Sequence, residues 1–493
     1  MTADDSVGRP AAAGEEAALA DPLTHSVEWL ERTHPQLSAR QTWSARARWY
    51  ALATGGALLV LLVVTPVGAL IALSATIVLL YLTAVGYKVA LFRSSLETGA
   101  LVQVSDMQAR ALTDDELPTY TVLVPMHDEP QVAEQMLRAL RALEYPRHLL
   151  DVRILLEADD ERTLRALLAV GLDPHVTIVQ VPDCAPKTKP KACNYGVLGA
   201  TGALLTIYDA EDVPDALQLL RAAAAFRRLP PDVACLQARL GFYNPRQNLL
   251  TRWFAIDYGM WFTLLLPGLI RLGAPVPLGG TSLHIRRDVL DAVGRWDPFN
   301  VTEDADLGIR LARYGHRVLV LDSVTLEEAN SDFVNWVRQR SRWYKGYAQT
   351  FLVHMRDPRR LWREIGPRGV LGVTLFIGGT PLLSVLNPVM WALTLLWFGA
   401  QPRLLPQIFP GWVLLLGLVC WAVGNATCVY MGVVSAPVAG APHLVGAALL
   451  MPVYWLMMSM AAVKAGWQLV MAPSFWEKTV HGLHQGTSQA PGQ

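Results

Sequence analysis

The chain has 493 residues, 52% of them hydrophobic and 17% charged, with zero formal net charge and a mean hydropathy of +0.28. A neutral balance offers no basic surface for nucleic acid, and so apolar a chain excludes a disordered scaffold and an ordinary cytosolic enzyme. Cys184, Cys193, Cys235, Cys420 and Cys428 show no C-x-x-C spacing, so they read as free thiols and not as the frame of a secreted disulfide protein.

The charge is unevenly spread. Residues 51–87 contain no Asp, Glu, Lys or Arg, and residues 369–463 contain only Arg403. Residues 1–20 are rich in Ala, Asp and Glu, which predicts disorder, and the first apolar run starts too late for a signal peptide. The first uncharged block fits two spanning helices of about 20 residues each, turning at Thr65-Pro66-Val67-Gly68. Arg40, Arg46 and Arg48 precede it, and Lys88 and Arg93 follow it, which puts both ends on the cytoplasmic side.

Short apolar strands come next, over 120–124, 152–156, 176–180 and 204–208, alternating with helices over 131–143 and 161–170. This pattern predicts a parallel α/β sheet, whose ligands bind at the carboxyl ends of the strands. Acids follow three of the four: His127-Asp128-Glu129, Glu157-Ala158-Asp159-Asp160 and Asp209-Ala210-Glu211-Asp212. Each cluster alone is turn chemistry or a helix cap, and Asp212 would cap a helix well. Three clusters on one sheet edge point instead to a divalent cation holding phosphate oxygens.

The aromatic stretch 248–272 is too interrupted to span a membrane and predicts an interfacial helix pair. Thr302 is placed to cap a helix over 305–314. A helix over 331–354 puts Gln339, Arg342 and Trp343 on one face, with Trp336 and Tyr347 continuing the stripe. Such a stripe alone is packing, but Gln339 and Arg342 are costly to bury unpaired. The second uncharged block predicts about four spans, at 369–386, 388–406, 411–433 and 442–471, with a break at Asn387-Pro388, in preference to three with 369–399 as one long kinked helix. That makes about six in all. His25, His34, His175 and His316 lack metal-ligand spacing.

Four motifs then stand in order: Asp209-Ala210-Glu211, Val301-Thr302-Glu303-Asp304, Gln339-Arg340-Ser341-Arg342-Trp343 and Trp476-Glu477-Lys478-Thr479-Val480-His481-Gly482. Their order and spacing resemble the D-x-D, T-E-D, Q-x-x-R-W and F-x-V-T-x-K-G motifs of membrane-integrated family 2 glycosyltransferases. The likeness is to the cellulose synthase and hyaluronan synthase type, and within it to bacterial polysaccharide synthases related to β-glucan producers. It covers nearly everything after about residue 45. The chain departs from the pattern at Glu211, where the second Asp would stand, and in the last motif, where Trp, Lys and His replace Phe, Val and Lys.

The resemblance implies a GT-A type α/β nucleotide-sugar domain bracketed by transmembrane helices in the plasma (inner) membrane. Its parts would be a cytosolic polar segment (1–45), a membrane hairpin (46–93), a cytosolic catalytic domain (94–360), about four membrane helices (361–471) and a gating-loop-like tail (472–493). The implied activity is inverting, metal-dependent and processive transfer of a hexose from a UDP-sugar to a growing glycan that threads the bilayer. Alternatives are transfer of one sugar to a polyprenyl phosphate, and an inactive synthase-like receptor or channel.

By the same resemblance Asp209 with Glu211 or Asp212 would hold Mg²⁺ or Mn²⁺, and Arg342 would grip phosphate. Glu129, Asp159, Lys191, Asn194 and Gln339 would be further donor contacts. Asp304 would be the general base, its pKa raised by Glu303 beside it. Trp343 and Thr281 would hold the acceptor, and Trp476, Thr479 and His481 would gate the site.

Overall fold

The computed structural model describes residues 21–97, 101–473, 475 and 477. Residues 1–20 and the expected gating residues Trp476, Thr479 and His481 lie outside them.

One mixed sheet organises the soluble part. Its strands are β1 (Leu101–Val102), β2 (Tyr120–Met126), β3 (Leu150–Glu157), β4 (Val176–Val181), β5 (Leu204–Ile207), β6 (Val213–Pro214), β7 (Val233–Phe242), β8 (Leu283–Arg286) and β9 (Arg317–Glu327). Their order is β1-β9-β7-β8-β5-β2-β3-β4, with β6 set against β9. Strands β5, β2, β3 and β4 are parallel, and β8 is antiparallel to β5 and β7. Val122, Leu123 and Val124 are all fully buried, as a strand covered on both faces requires. The four parallel strands lie where the apolar runs predict them, so their acidic ends share one edge.

In chain order the main helices are α1 (Pro22–Thr33), α2 (Ala45–Val64), α3 (Pro66–Ser95), α4 (Ala133–Ala142), α5 (Glu161–Val170), α6 (Lys189–Val197), α7 (Gln218–Arg228), α8 (Leu249–Arg271), α9 (Glu303–Arg313), α10 (Phe333–His354), α11 (Pro358–Phe398), α12 (Gly411–Val438) and α13 (Met451–Met471). The hairpin breaks at Thr65, as its proline and glycine predict.

The second apolar block differs from expectation. A single helix, α11, continues through Pro388, bending at Gly366 and loosening into a π turn over Val373–Gly378. Proline removes one backbone donor and one ladder bond, and in an apolar setting the helix tolerates that loss better than a break that would free several. The block therefore gives three apolar units, not four. The third is a short helix, Pro442–Ala448, bent by 71° against α13. The stretch 248–272 likewise forms one helix, α8, with a π turn over Trp261–Leu265 in place of a break.

Among the described residues five helices are long and apolar enough to cross a membrane, six if the bent pair counts as one. Of these α8 has 61% of its most apolar 18-residue stretch buried within the protein. Both helices of the bent pair contact segments beside the soluble domain. Trp253 of α8 donates its indole N–H to the Ala447 carbonyl (3.0 Å), and Trp43, just before α2, donates to that of Leu469 (3.2 Å).

Helix α9 leans directly on the backbone of Val276 at Gly308, where a Cβ would overlap the Val276 carbonyl oxygen. All three atoms that this Cβ would meet, Val276 O, Val276 C and Leu278 N, are backbone and not the end of a flexible side chain. The substitution Gly308→Ala is expected to destabilise the protein by about 1–3 kcal/mol, the usual cost of overpacking. A thermal melt of the detergent-solubilised variant that matches wild type would refute the close fit.

Candidate active site

The acidic edge opens into a cavity of about 750 Å³. Glu129 follows β2, Glu157 ends β3, Asp209 and Glu211 follow β5, and all four line it, together with Glu303, Asp304, Arg342 and Trp343. From there the same cavity continues between α3, α11 and α12, past Tyr81, Asn387, Trp391, Trp421 and Asn425. Lys88 is the only Asp, Glu, Lys or Arg on the wall that those three helices supply.

Asp209 meets the ammonium of Lys189, which also donates to the Gly280 carbonyl at 3.0 Å. Burial opposes the Lys189 charge, but Asp209 and Glu303 outweigh it and hold the ammonium above its ordinary pKa. Lys189 thus lies between the D-x-D-like turn and the T-E-D-like turn. The sequence reading chose Lys191 from the same motif. Two residues apart on a helix face opposite ways, and Lys191 is buried beside the cavity, pairing with Glu157 at 3.0 Å and donating to the Cys184 carbonyl at 3.0 Å. That near-opposition was the signal available to choose between them.

Asn194 is turned away as well. Its amide donates to the carbonyls of Ser26 (3.0 Å) and Trp296 (2.8 Å), which fastens α1 to the domain. Thr281, expected at the acceptor, is buried and donates to Asp212 and to the Ile207 carbonyl (3.1 Å); Gly279 and Gly280 form the wall instead. Asp159 is half-exposed beside the cavity and ion-pairs at 2.7 Å with Lys187, which lines it.

The carboxylates divide into two sets. Asp212 is buried, accepts the Asp209 N–H at 2.8 Å, and keeps its Oδ1 without a hydrogen bond. Burial, then Asp209 and Glu211, push its carboxyl well above the usual range. Glu327, at the end of β9, is raised by burial and by the same acids. Asp209 and Glu211 are the pair on the wall. Among the described residues no three His, Cys, Asp or Glu side chains form a cage. A magnesium-type ion needs none, since one or two carboxylates, substrate phosphates and water complete its shell.

Glu303 and Asp304 open α9. Thr302 occupies the N-cap position but makes no capping bond; Asp304 Oδ1 instead accepts the Ala305 N–H at 2.7 Å. The two acids separate in proton affinity. Burial, then Asp304, raise Glu303 to about 8, whereas Asp304 reaches about 6 through burial. The repulsion expected to raise Asp304 therefore falls on Glu303. Two carboxyls so close in a poorly solvated place carry one negative charge more readily than two.

The loop before α9 is held from behind. Gln349 of α10 accepts the Val301 N–H (3.2 Å) and donates to the Phe299 carbonyl (3.0 Å) and the Thr42 hydroxyl (2.9 Å). Asn300 donates to Thr350 at 2.9 Å, and the Ala39 N–H reaches Asp297. Opposite Asp304, Gly280 (φ +82°) leaves room that a Cβ would take up, 3.1 Å from Asp304 Oδ2. Gln237 accepts the Gly279 N–H and donates to the Thr281 carbonyl, both at 2.9 Å, and so fixes this glycine turn. On α10, Gln339, Arg342 and Trp343 share the cavity wall as their spacing predicts. The Gln339 Oε1 is buried without a hydrogen bond, and Trp343 is half-buried against Phe254 and Tyr258.

Residues 204–458 match the glycosyl transferase family group 2, and the chain belongs to that family. It is 26% identical over 234 residues to the probable glycosyltransferase YdaM of Bacillus subtilis (strain 168), covering 47% of this chain and 56% of that protein. To the beta-monoglucosyldiacylglycerol synthase of Synechocystis sp. it is 26% identical over 313 residues, 62% of each. The chain thus spans roughly half to three-fifths of the curated relatives it matches. The mannosyltransferase PcManGT from Pyrobaculum calidifontis, solved with GDP-Man and Mn²⁺, shares the fold at a TM-score of 0.50 and 19% identity, over 81% of this chain and 99% of that one. Its long apolar helices set this family's domain beside segments able to cross a membrane.

A reaction that needs Asp304 as a base will lose rate as pH falls through about 6, where that carboxylate takes up its proton. A rate–pH profile flat down to pH 4.5 would show that Asp304 is not the base.

Proposed function

We propose that the chain transfers a hexose from a UDP-sugar to a growing glycan and passes the product along the cavity between its apolar helices. The observation that carries this reading is the continuity of that cavity from Asp209 and Asp304 into a wall of Tyr81, Trp391, Trp421, Asn387 and Asn425. Aromatic faces suit the apolar faces of sugar rings, and amides suit their hydroxyls.

Asp209 and Glu211 would hold Mg²⁺ or Mn²⁺, and the unpaired Asp212 Oδ1 behind them fits a site short of positive charge. When bound, the ion stabilises the negative charge that develops on the leaving diphosphate. Lys189 and Arg342 bring further positive charge to the same place. Glu129 and Asp159 would contact the nucleoside. The buried, unbonded Gln339 Oε1 would accept a hydrogen bond from a hydroxyl of the donor sugar. Asp304 takes the proton of the attacking hydroxyl, and Trp343 holds the terminal sugar in place for attack.

The same reading assigns 94–360 to the catalytic domain, on the cytosolic side of the membrane. Four helices, α2, α3, α11 and α12, would span, with α8 and α13 lying along the inner surface. Four spans return the chain to the side where Trp43 and Leu469 meet, and agree with Arg40, Arg46, Arg48 and Arg93 on that side.

The test is to incubate purified protein in detergent with radiolabelled UDP-sugars and to size the product. Polymer of high molecular weight is expected; an organic-soluble product carrying one sugar would overturn the reading in favour of a lipid acceptor. Chelation by EDTA should abolish turnover and Mn²⁺ or Mg²⁺ restore it. Asp209→Asn should lower turnover by about 10²-fold or more, and near-normal rates in EDTA would end the metal assignment. Trp343→Ala should lose polymer while binding UDP as wild type does.

A further inference from the structure

We propose that Arg340, which the catalytic reading leaves unused, is the positioning residue that sets the angle of Trp343. The inference rests on the acceptor role given above to Trp343. Arg340 and Trp343 are three residues apart on α10 and so share a face. The guanidinium carbon of Arg340 lies 4.4 Å from the Trp343 ring centroid and 4.5 Å from that of Phe254. It lies against both rings, whose centroids are themselves only 6.2 Å apart, well inside the range at which a cation and an aromatic face attract.

The guanidinium is itself fixed at its far end. Its Nη2 donates to Asp257 at 2.6 Å and to the Tyr454 hydroxyl at 2.8 Å. Arg340 is 6% exposed, so its charge is shielded from water and depends on Asp257, the hydroxyl and the rings. Phe254, Asp257 and Tyr258 occupy one face of α8. They supply, in turn, the ring under Arg340, its counter-ion, and a ring 6.0 Å from that of Trp343. Tyr454 brings in α13. Three helices thus meet at one side chain, and the one ring that it touches on the cavity wall is Trp343.

A flat guanidinium can stack on an indole and ion-pair in the same plane, which a lysine ammonium cannot do. Packing alone would not require this. Phe254, Tyr258 and Trp343 with an aliphatic side chain at 340 would fill the volume without burying a charge, and buried ion pairs rarely add stability over such a core. What the pair provides is direction, because the bonds to Asp257 and Tyr454 fix the guanidinium and the fixed guanidinium constrains the ring beside it. A displacement of the order of 1 Å at a reacting group can cost about 10²-fold in rate.

The experiment measures polymer formation and UDP affinity for Arg340→Lys, Trp343→Ala, the double variant and Asp257→Asn. Arg340→Lys is expected to slow polymer formation about ten- to a hundredfold, with the Kd for UDP within about twofold of wild type. Asp257→Asn should move the same way by less. The decisive reading is the cycle: if Arg340 acts through Trp343, the double variant is no slower than Trp343→Ala alone. Multiplied losses in the double variant would overturn the inference, as would equal losses of UDP binding and polymer in Arg340→Lys, which mark general unfolding. Full polymer yield from Arg340→Lys would overturn it too. Failure of the underlying reading looks different, because wild type itself would then make no polymer.

Discussion

Asp209, Glu211, Asp212 and Glu327 bring four carboxyl groups to one sheet edge, where burial and their mutual repulsion raise Asp212 and Glu327. That crowding is the constraint around which the rest of the site is arranged. Lys189 offsets it from one side, reaching Asp209 and the Gly280 carbonyl together. Arg342 faces it from another, where burial works against its charge and Glu303, Asp209 and Asp304 support it. An edge built this way favours a visiting cation, and with it whatever anion the cation carries. The glycine turn, the start of α9 and the wall of α10 all border this charge, so chemistry and fold share one electrostatic problem.

The resolution of that problem also separates the two acids of the T-E-D-like turn. Burial raises both carboxyls, and for Glu303 the charge of Asp304 adds to it. Proximity of two carboxyls in a poorly solvated place favours one charge at a time, and the Ala305 N–H supports that charge on Asp304.

Much of this was legible in the sequence because strand and helix periods decide which residues reach the edge. Asp209 and Glu129 follow strands directly, and Gln339, Arg342 and Trp343 fall on one helical face, so pattern alone brings them to the cavity. Less legible were choices that depend on where a helix is rolled. Lys189 and Lys191 differ only in that, and Thr281 lost its place to Gly280 through a hydrogen bond to Asp212. Pro388 misled because proline is punctuation in water, whereas α11 runs on through it. Arg340 was invisible for a simpler reason: its partners, Phe254, Asp257 and Tyr454, come from two other helices far away in the chain.

The fastening of the loop before α9 sets an order on events at the ribosome. Its acids are synthesised by residue 304, but Gln349 and Thr350 follow some fifty residues later, and Thr42 has waited since the start of the chain. A nascent chain can therefore display every acid of the sheet edge before anything holds Asp304 opposite Gly280. Ala39 and Thr42 lie immediately ahead of α2, so the last of these hydrogen bonds to close and the start of the first long apolar helix share one short segment.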